Sequence, residues 1–235
     1  MRHRVAAILP LFNEGSAAAD LVRRMPAEVS VTYVVDDGST DDGPALAERA
    51  GGRVIHLGSN RGIGVAIRTG LLAARDARFD LVVVMAASGK DRPEEIPALL
   101  AKIREGHDYV QGSRFLAGGA SVNLPLARGV LIHVFTILFR ILSGFRGTDV
   151  TNGFRAYRLS LLDDPWIRIE QSWLDRYELE YYIHWKVITL AYRVCEVPVS
   201  KTYPTRRRNY SKIRPVVDWW HIVRPALLLK LKLRT

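Results

Sequence analysis

The sequence predicts an α/β fold in which a mostly parallel central sheet carries helices on both faces. Two observations predict it. Short apolar runs alternate with helix-patterned segments through the first half of the chain, as they do where strands are joined by helical crossovers. Each of the first four apolar runs is also followed by a polar or glycine-rich cluster, at the strand ends where such sheets bind ligands.

Residues 5–9, 31–35, 53–57 and 81–85 read as strands, apolar and bounded by turn residues. Residues 16–25, 43–50 and 64–77 carry helix-forming residues at helical spacing. Beyond residue 105 the pattern loosens. There 109–111 and 192–199 read as strands, 126–142 and 173–190 as helices, and 143–153 as a loop rich in Gly, Thr and Asn. At 235 residues the chain suffices for one sizeable core. The expected organisation is one domain over 1–199, with a basic segment, 200–235, packing on it or extending it.

Hydrophobic residues make up 48% and charged residues 25% of the chain, the balance of a soluble globular protein. The formal net charge of +10 favours an anionic partner: nucleotide phosphates, nucleic acid or an acidic membrane surface. Ten Lys or Arg and a single acid, Asp218, fall in 200–235. Cys195 is the only cysteine, which excludes an internal disulfide framework and suits a reducing, cytoplasmic compartment. The apolar run at 5–10 is too short for a signal-peptide core. The longest later run, 130–142, is interrupted by His133, Thr136 and Arg140, and falls short of the ~20 residues a spanning helix needs. A peripheral relation to a membrane is therefore expected rather than an integral one.

The four strand-end clusters are Pro10-Leu11-Phe12-Asn13-Glu14, Asp36-Asp37-Gly38-Ser39-Thr40-Asp41-Asp42, Asn60-Arg61-Gly62-Ile63-Gly64 and Ala86-Ala87-Ser88-Gly89-Lys90-Asp91-Arg92-Pro93. Gly, Asp, Asn and Ser dominate ordinary turns, so one such cluster alone says little. Four in succession on the ligand side of a sheet point to a site.

Other stretches continue the pattern: Arg92-Pro93-Glu94-Glu95-Ile96-Pro97, Gln111-Gly112-Ser113-Arg114, Thr148-Asp149-Val150-Thr151-Asn152-Gly153-Phe154-Arg155, Glu196-Val197-Pro198-Val199 and Tyr210-Ser211-Lys212. With the first two clusters, they resemble family 2 glycosyltransferases, in the branch containing dolichol-phosphate mannose synthase and its bacterial relatives. They run through nearly the whole chain in the family's order. The resemblance implies a GT-A fold, a nucleotide-sugar donor (a UDP-, GDP- or other nucleoside diphosphate sugar) and inversion at the anomeric carbon. By position, Pro10 and Glu14 match residues that hold base and ribose, with Asp36 and Asp37 beside them. Gly64, Ser88 and Gly89 complete the expected nucleotide set. Asp36 and Asp37 have a second, purely structural reading as caps of the following helix.

One departure from the family pattern concerns metal. The fourth strand of the family ends in Asp-x-Asp, which binds Mg²⁺ or Mn²⁺ bridging the donor diphosphate. Here the triplet is Ala86-Ala87-Ser88, and neither alanine has a ligand atom. Two solutions remain open: Asp91, the nearest carboxylate, holds a metal with few protein ligands, or cationic side chains replace it. Lys90, with Arg206-Arg207-Arg208 and Lys212, suits the second.

At the acceptor end, arginines matching Arg114 and Arg128 face a phosphate in the polyprenyl-phosphate branch, Arg155 belongs to the retained Gly-Phe-Arg block, and residues near Ser211-Lys212 meet the donor diphosphate. Lys90, Asp91, Arg114 and Asp149 form the expected catalytic group. A phosphate acceptor, already ionised, needs no strong base. A soluble hydroxyl acceptor needs one, for which Asp149, Glu178 and Glu180 are the candidates. Residues 126–142 read either as a core helix or, with the tail 227–234, as segments resting on an anionic membrane surface, although the alternation of the tail gives no clean helical face. The arginine run has few interleaved aromatics and the acidic loops suit a phosphate backbone poorly, which argues against nucleic acid. A catalytically inactive nucleotide-binding relative is the rival of another class, given the missing Asp pair.

Overall fold

The computed structural model describes residues 3–204 and 217–234. In chain order, β1 (Val5–Leu11), α1 (Ala17–Arg23), β2 (Val29–Asp36), α2 (Gly43–Arg49), β3 (Arg53–His56), α3 (Ile63–Asp76) and β4 (Leu81–Val84) alternate as the apolar pattern predicts. There follow α4 (Ile96–Arg104), β5 (Tyr109–Ser113), β6 (Ala120–Val122), α5 (Leu126–Ser143), β7 (Arg155–Arg158), α6 (Glu178–Thr189), β8 (Val194–Pro198), β9 (Ser200–Thr202) and α7 (Val217–Lys230).

Seven strands form one sheet in the order β3-β2-β1-β4-β7-β5-β8, and β6 pairs with β9 beside it. All neighbours in the large sheet are parallel except those of β7, which runs antiparallel to both β4 and β5. β1 and β4 are buried nearly throughout, as continuous apolar strands must be when helices cover both faces. One face packs against α3, α5, α6 and α7 through Leu71, Phe135, Phe139, Tyr182 and Ile222; the other against α1, α2 and α4 through Leu21, Ala47, Leu99 and Ile103.

The sequence reading had no counterpart for α4, β6, β9 or α7, and three further stretches differ from it. β7 carries Arg155 in the sheet interior, and its guanidinium is satisfied by carbonyl oxygens of Val150, Asn152 and Glu180. The stretch 173–190 divides into a 3₁₀ turn, Ser172–Leu174, and α6. The helix at 126–142 runs to Ser143, and its 18 residues are long and apolar enough to cross a membrane by length and composition, which corrects the reading of that stretch as too short. The residues Arg206, Ser211 and Lys212 lie outside the described residues.

Candidate active site

The carboxyl ends of β1, β2 and β4 open onto a cavity of about 990 Å³. Pro10, Phe12 and Glu14 line it after β1, Asp37 after β2, and Ile63 and Ala66 from α3. Ala86, Ser88 and Lys90 follow β4; Arg128 comes from α5, Lys201 from β9, Asp218 from α7, and Arg176, Tyr177 and Tyr203 from loops. Acids cluster at the β1 and β2 ends, and Lys90, Arg128 and Lys201 come from other elements.

The first two loops are tied together. Asn13 takes a left-handed φ of 50°, which Asn tolerates better than most residues. Its amide donates to Ser39 Oγ at 3.0 Å, and its Oδ1 accepts from the Thr40 amide at 2.7 Å. Asp36 accepts from the Ser39 amide at 2.8 Å and meets His56 Nδ1 at 2.9 Å. Burial works against its charge, but these partners outweigh it and hold the carboxyl below its ordinary pKa. Asp37 accepts from the Arg61 amide at 2.6 Å and the Gly62 amide at 3.0 Å, so it braces the turn entering α3. Burial nonetheless pushes Asp37 above its ordinary value. Of the two, only Asp37 lines the cavity.

Gly64 is a packing residue in place of the nucleotide contact expected. A Cβ there would fall 2.0 Å from the Leu174 carbonyl oxygen, and beside it the Val65 amide donates to the Asp175 oxygen at 3.2 Å. Gly89 is exposed with a φ of 70° and turns the chain between Ser88 and Lys90.

The loop after β4 bears on the expected metal site. Asp91 is buried, and both its oxygens accept from Lys201 Nζ, at 2.8 and 3.0 Å. Lys201 also donates to Asn152 Oδ1 at 3.1 Å. The structure thus places Asp91, the expected metal ligand, enclosed and paired with Lys201 rather than in the cavity lining. Among the described residues no group of three His, Cys, Asp or Glu side chains is disposed to hold a metal ion. With alanines at 86 and 87, the residues ending the fourth strand do not fit the divalent ion of the family pattern. Lys90 instead projects a half-buried ammonium into the cavity lining. Burial lowers its pKa; Lys201 and Arg128 act in the same direction, against Glu14 and Asp91.

Arg114 and Asp149 form a buried pair in place of the acceptor-facing arginine and acid–base carboxylate expected. Arg114 Nε and Nη2 donate to the two Asp149 oxygens at 2.7 and 2.8 Å, and the Arg114 amide donates to Asp149 at 3.1 Å. Burial alone would raise the Asp149 pKa, but the Arg114 guanidinium outweighs it and holds the carboxyl below its ordinary value. Arg114 also donates to the hydroxyl of Tyr203. Arg128 stacks over the Tyr203 ring, 5.5 Å from its centroid. The buried pair therefore reaches the cavity through Tyr203, one residue removed. Arg155 is enclosed by carbonyls rather than open to an acceptor. Glu178 is buried and accepts from His221 and Arg224, joining α6 to α7. Glu180 sits 3.9 Å from Arg155.

Sequence reasoning missed Lys201, Tyr203, Arg176 and Tyr177 in the lining. Lys201 counts only as one cation of a basic tail, and nothing in its spacing marks Asp91 as its partner. Asp218 carried a signal, as the single acid of that tail.

Residues 6–166 match glycosyl transferase family 2. The chain is 32% identical over 220 residues to a polyprenol monophosphomannose synthase of Mycolicibacterium smegmatis, covering 89% of this chain and 81% of that one. It is 31% identical over 217 residues to an undecaprenyl-phosphate mannosyltransferase of Micrococcus luteus, covering 89% and 87%. A dolichyl-phosphate hexose transferase of Haloferax volcanii is 31% identical over 218 residues, covering 90% and 87%. Among solved structures, glucosyl-3-phosphoglycerate synthase from Mycobacterium tuberculosis, in complex with Mn²⁺, UDP and glucosyl-3-phosphoglycerate, superposes with a TM-score of 0.70 at 19% identity, over 99% of this chain and 81% of that one. That likeness establishes the GT-A fold. By the span of the family match and the identity to these relatives, the chain is a glycosyltransferase and belongs to glycosyl transferase family 2.

Proposed function

We propose that the chain moves a sugar from a nucleoside diphosphate donor to a polyprenyl phosphate, with inversion at the anomeric carbon, at the cytoplasmic face of a membrane. The acceptor class follows the relatives, whose names specify polyprenol, undecaprenyl phosphate and dolichyl phosphate.

The observation that carries this reading is α5. Leu126, Val130, Val134, Ile137 and Ile141 recur at helical spacing along one side and are 55% to 85% exposed. Ile132, Phe135 and Phe139 on the other side are core. Arg128, in the first turn of the same helix, lines the cavity. One helix thus offers a phosphate-directed cation inward and an apolar strip outward, the two chemistries of a polyprenyl phosphate. An apolar strip of this kind, with Arg140 exposed beside it, suits a helix lying in the interface of an anionic bilayer. α7, packed against α5, adds the exposed Trp220.

In the reaction, an oxygen of the acceptor phosphate bonds to the anomeric carbon from one side while the bond to the donor diphosphate breaks on the other. The leaving diphosphate takes the bonding electrons. The nucleophile is already ionised at neutral pH, so no base is required. This agrees with Asp149, Glu178 and Glu180 lying outside the cavity lining and beside cations. What the protein supplies is alignment and positive potential where charge develops.

The test is transfer from a panel of radiolabelled UDP- and GDP-sugars to polyprenyl phosphate in anionic vesicles. A labelled, lipid-extractable product is expected. Transfer to water-soluble hydroxyl acceptors alone, or to none with any donor, would overturn the reading.

A further inference from the structure

The donor's diphosphate must be met by positive charge, and the loop after β4 lacks the usual means of recruiting it as a metal. Ala86 and Ala87 offer no ligand atom, and both oxygens of Asp91 are taken by Lys201. The same loop carries Lys90 into the cavity lining, where Arg128 and Lys201 also stand. We propose that Lys90 is the diphosphate-binding residue of this site: its ammonium contacts the donor diphosphate and neutralises it as it leaves, doing by a fixed cation what a bridging divalent ion does elsewhere. The inference rests on the nucleotide-sugar reading above.

The arrangement is built for an anion. A half-buried ammonium carries a desolvation cost that an arriving anion relieves. The depressed pKa of Lys90, caused first by burial, is the trace of that cost. The Lys90 side chain lines the cavity that the nucleotide-sugar would enter, and its strongest charge attraction there is to Glu14. Lys201 is different. Asp91 and Asn152 hold it on three contacts, and the Lys90 carbonyl accepts from the Thr202 amide at 3.0 Å. β9 therefore fixes the backbone from which Lys90 extends, and preorganisation of this kind is what makes a cation effective toward developing charge. Ser88 adds a neutral donor: its Oγ lies in the cavity loop, buried, with no hydrogen-bond partner among the described residues. A phosphate oxygen beside Lys90 would satisfy it.

The experiment is calorimetric titration of the wild-type chain, Lys90→Met and Lys90→Arg with UDP, GDP and ADP, each in EDTA and in Mg²⁺. Ligand-free melting temperatures verify that both variants fold. The expected result is that at least one diphosphate binds in EDTA with an affinity that Mg²⁺ changes less than about twofold. Lys90→Met should weaken that binding roughly 10- to 100-fold, the scale of one charge-assisted contact, and Lys90→Arg should recover part of it. Two outcomes overturn the proposal while leaving the donor reading intact: binding that EDTA abolishes and Mg²⁺ restores, or a folded Lys90→Met that binds like the wild type. Absence of binding by all three nucleotides in both buffers would sink the donor reading as well.

Discussion

Replacing Asp149 by Asn tests whether this carboxylate is part of the frame or part of the chemistry. The substitution keeps the shape and removes the charge. In the wild type three Arg114 donors converge on Asp149 at 2.7, 2.8 and 3.1 Å, and both side chains are almost fully buried. Removing one partner of such a pair leaves an uncompensated interior guanidinium and costs about 3–5 kcal/mol. The asparagine amide adds a donor facing donors. For a chain of this size each kcal/mol lowers the melting temperature by roughly 2–4 °C, so Asp149→Asn should melt roughly 6–20 °C below the wild type. The assay is thermal and urea unfolding at pH 7.5, with nucleotide affinity measured on the folded variant. The pH dependence has a definite sign. Asp149 is held below its ordinary pKa, so its stabilisation is complete above the unfolded carboxylate value of about 3.9. It is lost only as pH falls through the still lower folded value, and the gap between wild type and variant should be flat across neutral pH. A variant that melts within about 2 °C of the wild type but loses turnover would refute the structural role and return Asp149 to catalysis.

Three further outcomes follow from buried or exposed groups elsewhere. His184 is fully buried among Tyr109, Phe139 and Phe145 with both ring nitrogens unpartnered among the described residues, and burial, reinforced by Arg155, drives its pKa well below the ordinary value. The unfolded chain therefore takes up a proton below about pH 6.5 that the folded chain refuses, and the wild type should lose about 1.4 kcal/mol by pH 5.5. Urea midpoints across pH 5–8 should show that slope flattened in His184→Phe, and an unchanged slope would remove His184 as its source. On α5, Val134→Glu with Ile141→Glu places charges at positions 58% and 73% exposed. Stability should move by no more than about 0.5 kcal/mol per site, while sedimentation with anionic vesicles should fall at least about tenfold; equal vesicle binding would detach this face from the membrane. Gly64→Ala introduces a Cβ 2.0 Å from a backbone oxygen, and α3 must shift from its neighbour. A loss of about 2 kcal/mol or more in urea unfolding is expected, and wild-type stability would show that the close approach is not required.

The first half of the fold was legible because its signals are local. Continuous apolar runs ending in turn residues specify buried parallel strands, and helical spacing between them specifies the crossovers. β7 was not legible as a strand. Arg155 and Arg158 at its ends read as polar surface, and Arg155 is tolerated inside only because carbonyls from residues 150, 152 and 180 surround it. The interruption of the helical stretch at 173–190 has a similar origin. The backbone at 174–176 lies against Gly62 and Gly64, and the Asp175 carbonyl accepts from Val65. That contact is made across more than a hundred residues of chain, and no periodicity announces it.

The site divides along the same line. By itself the sequence determined which loops meet at the strand ends, and so that Pro10, Glu14, Asp37, Ser88 and Lys90 share one cavity. It also determined that positions 86 and 87 have no ligand atom, because composition needs no geometry. Which charges remain available there is set by packing in three dimensions. Asp91 and Lys201 are 110 residues apart, Arg114 and Asp149 are 35 apart, and Glu178 and His221 are 43 apart. In the fold each is consumed in a pair. Whether a charge acts on a ligand or on a neighbour depends on distance and desolvation in space, and these are set when separate segments pack against one another.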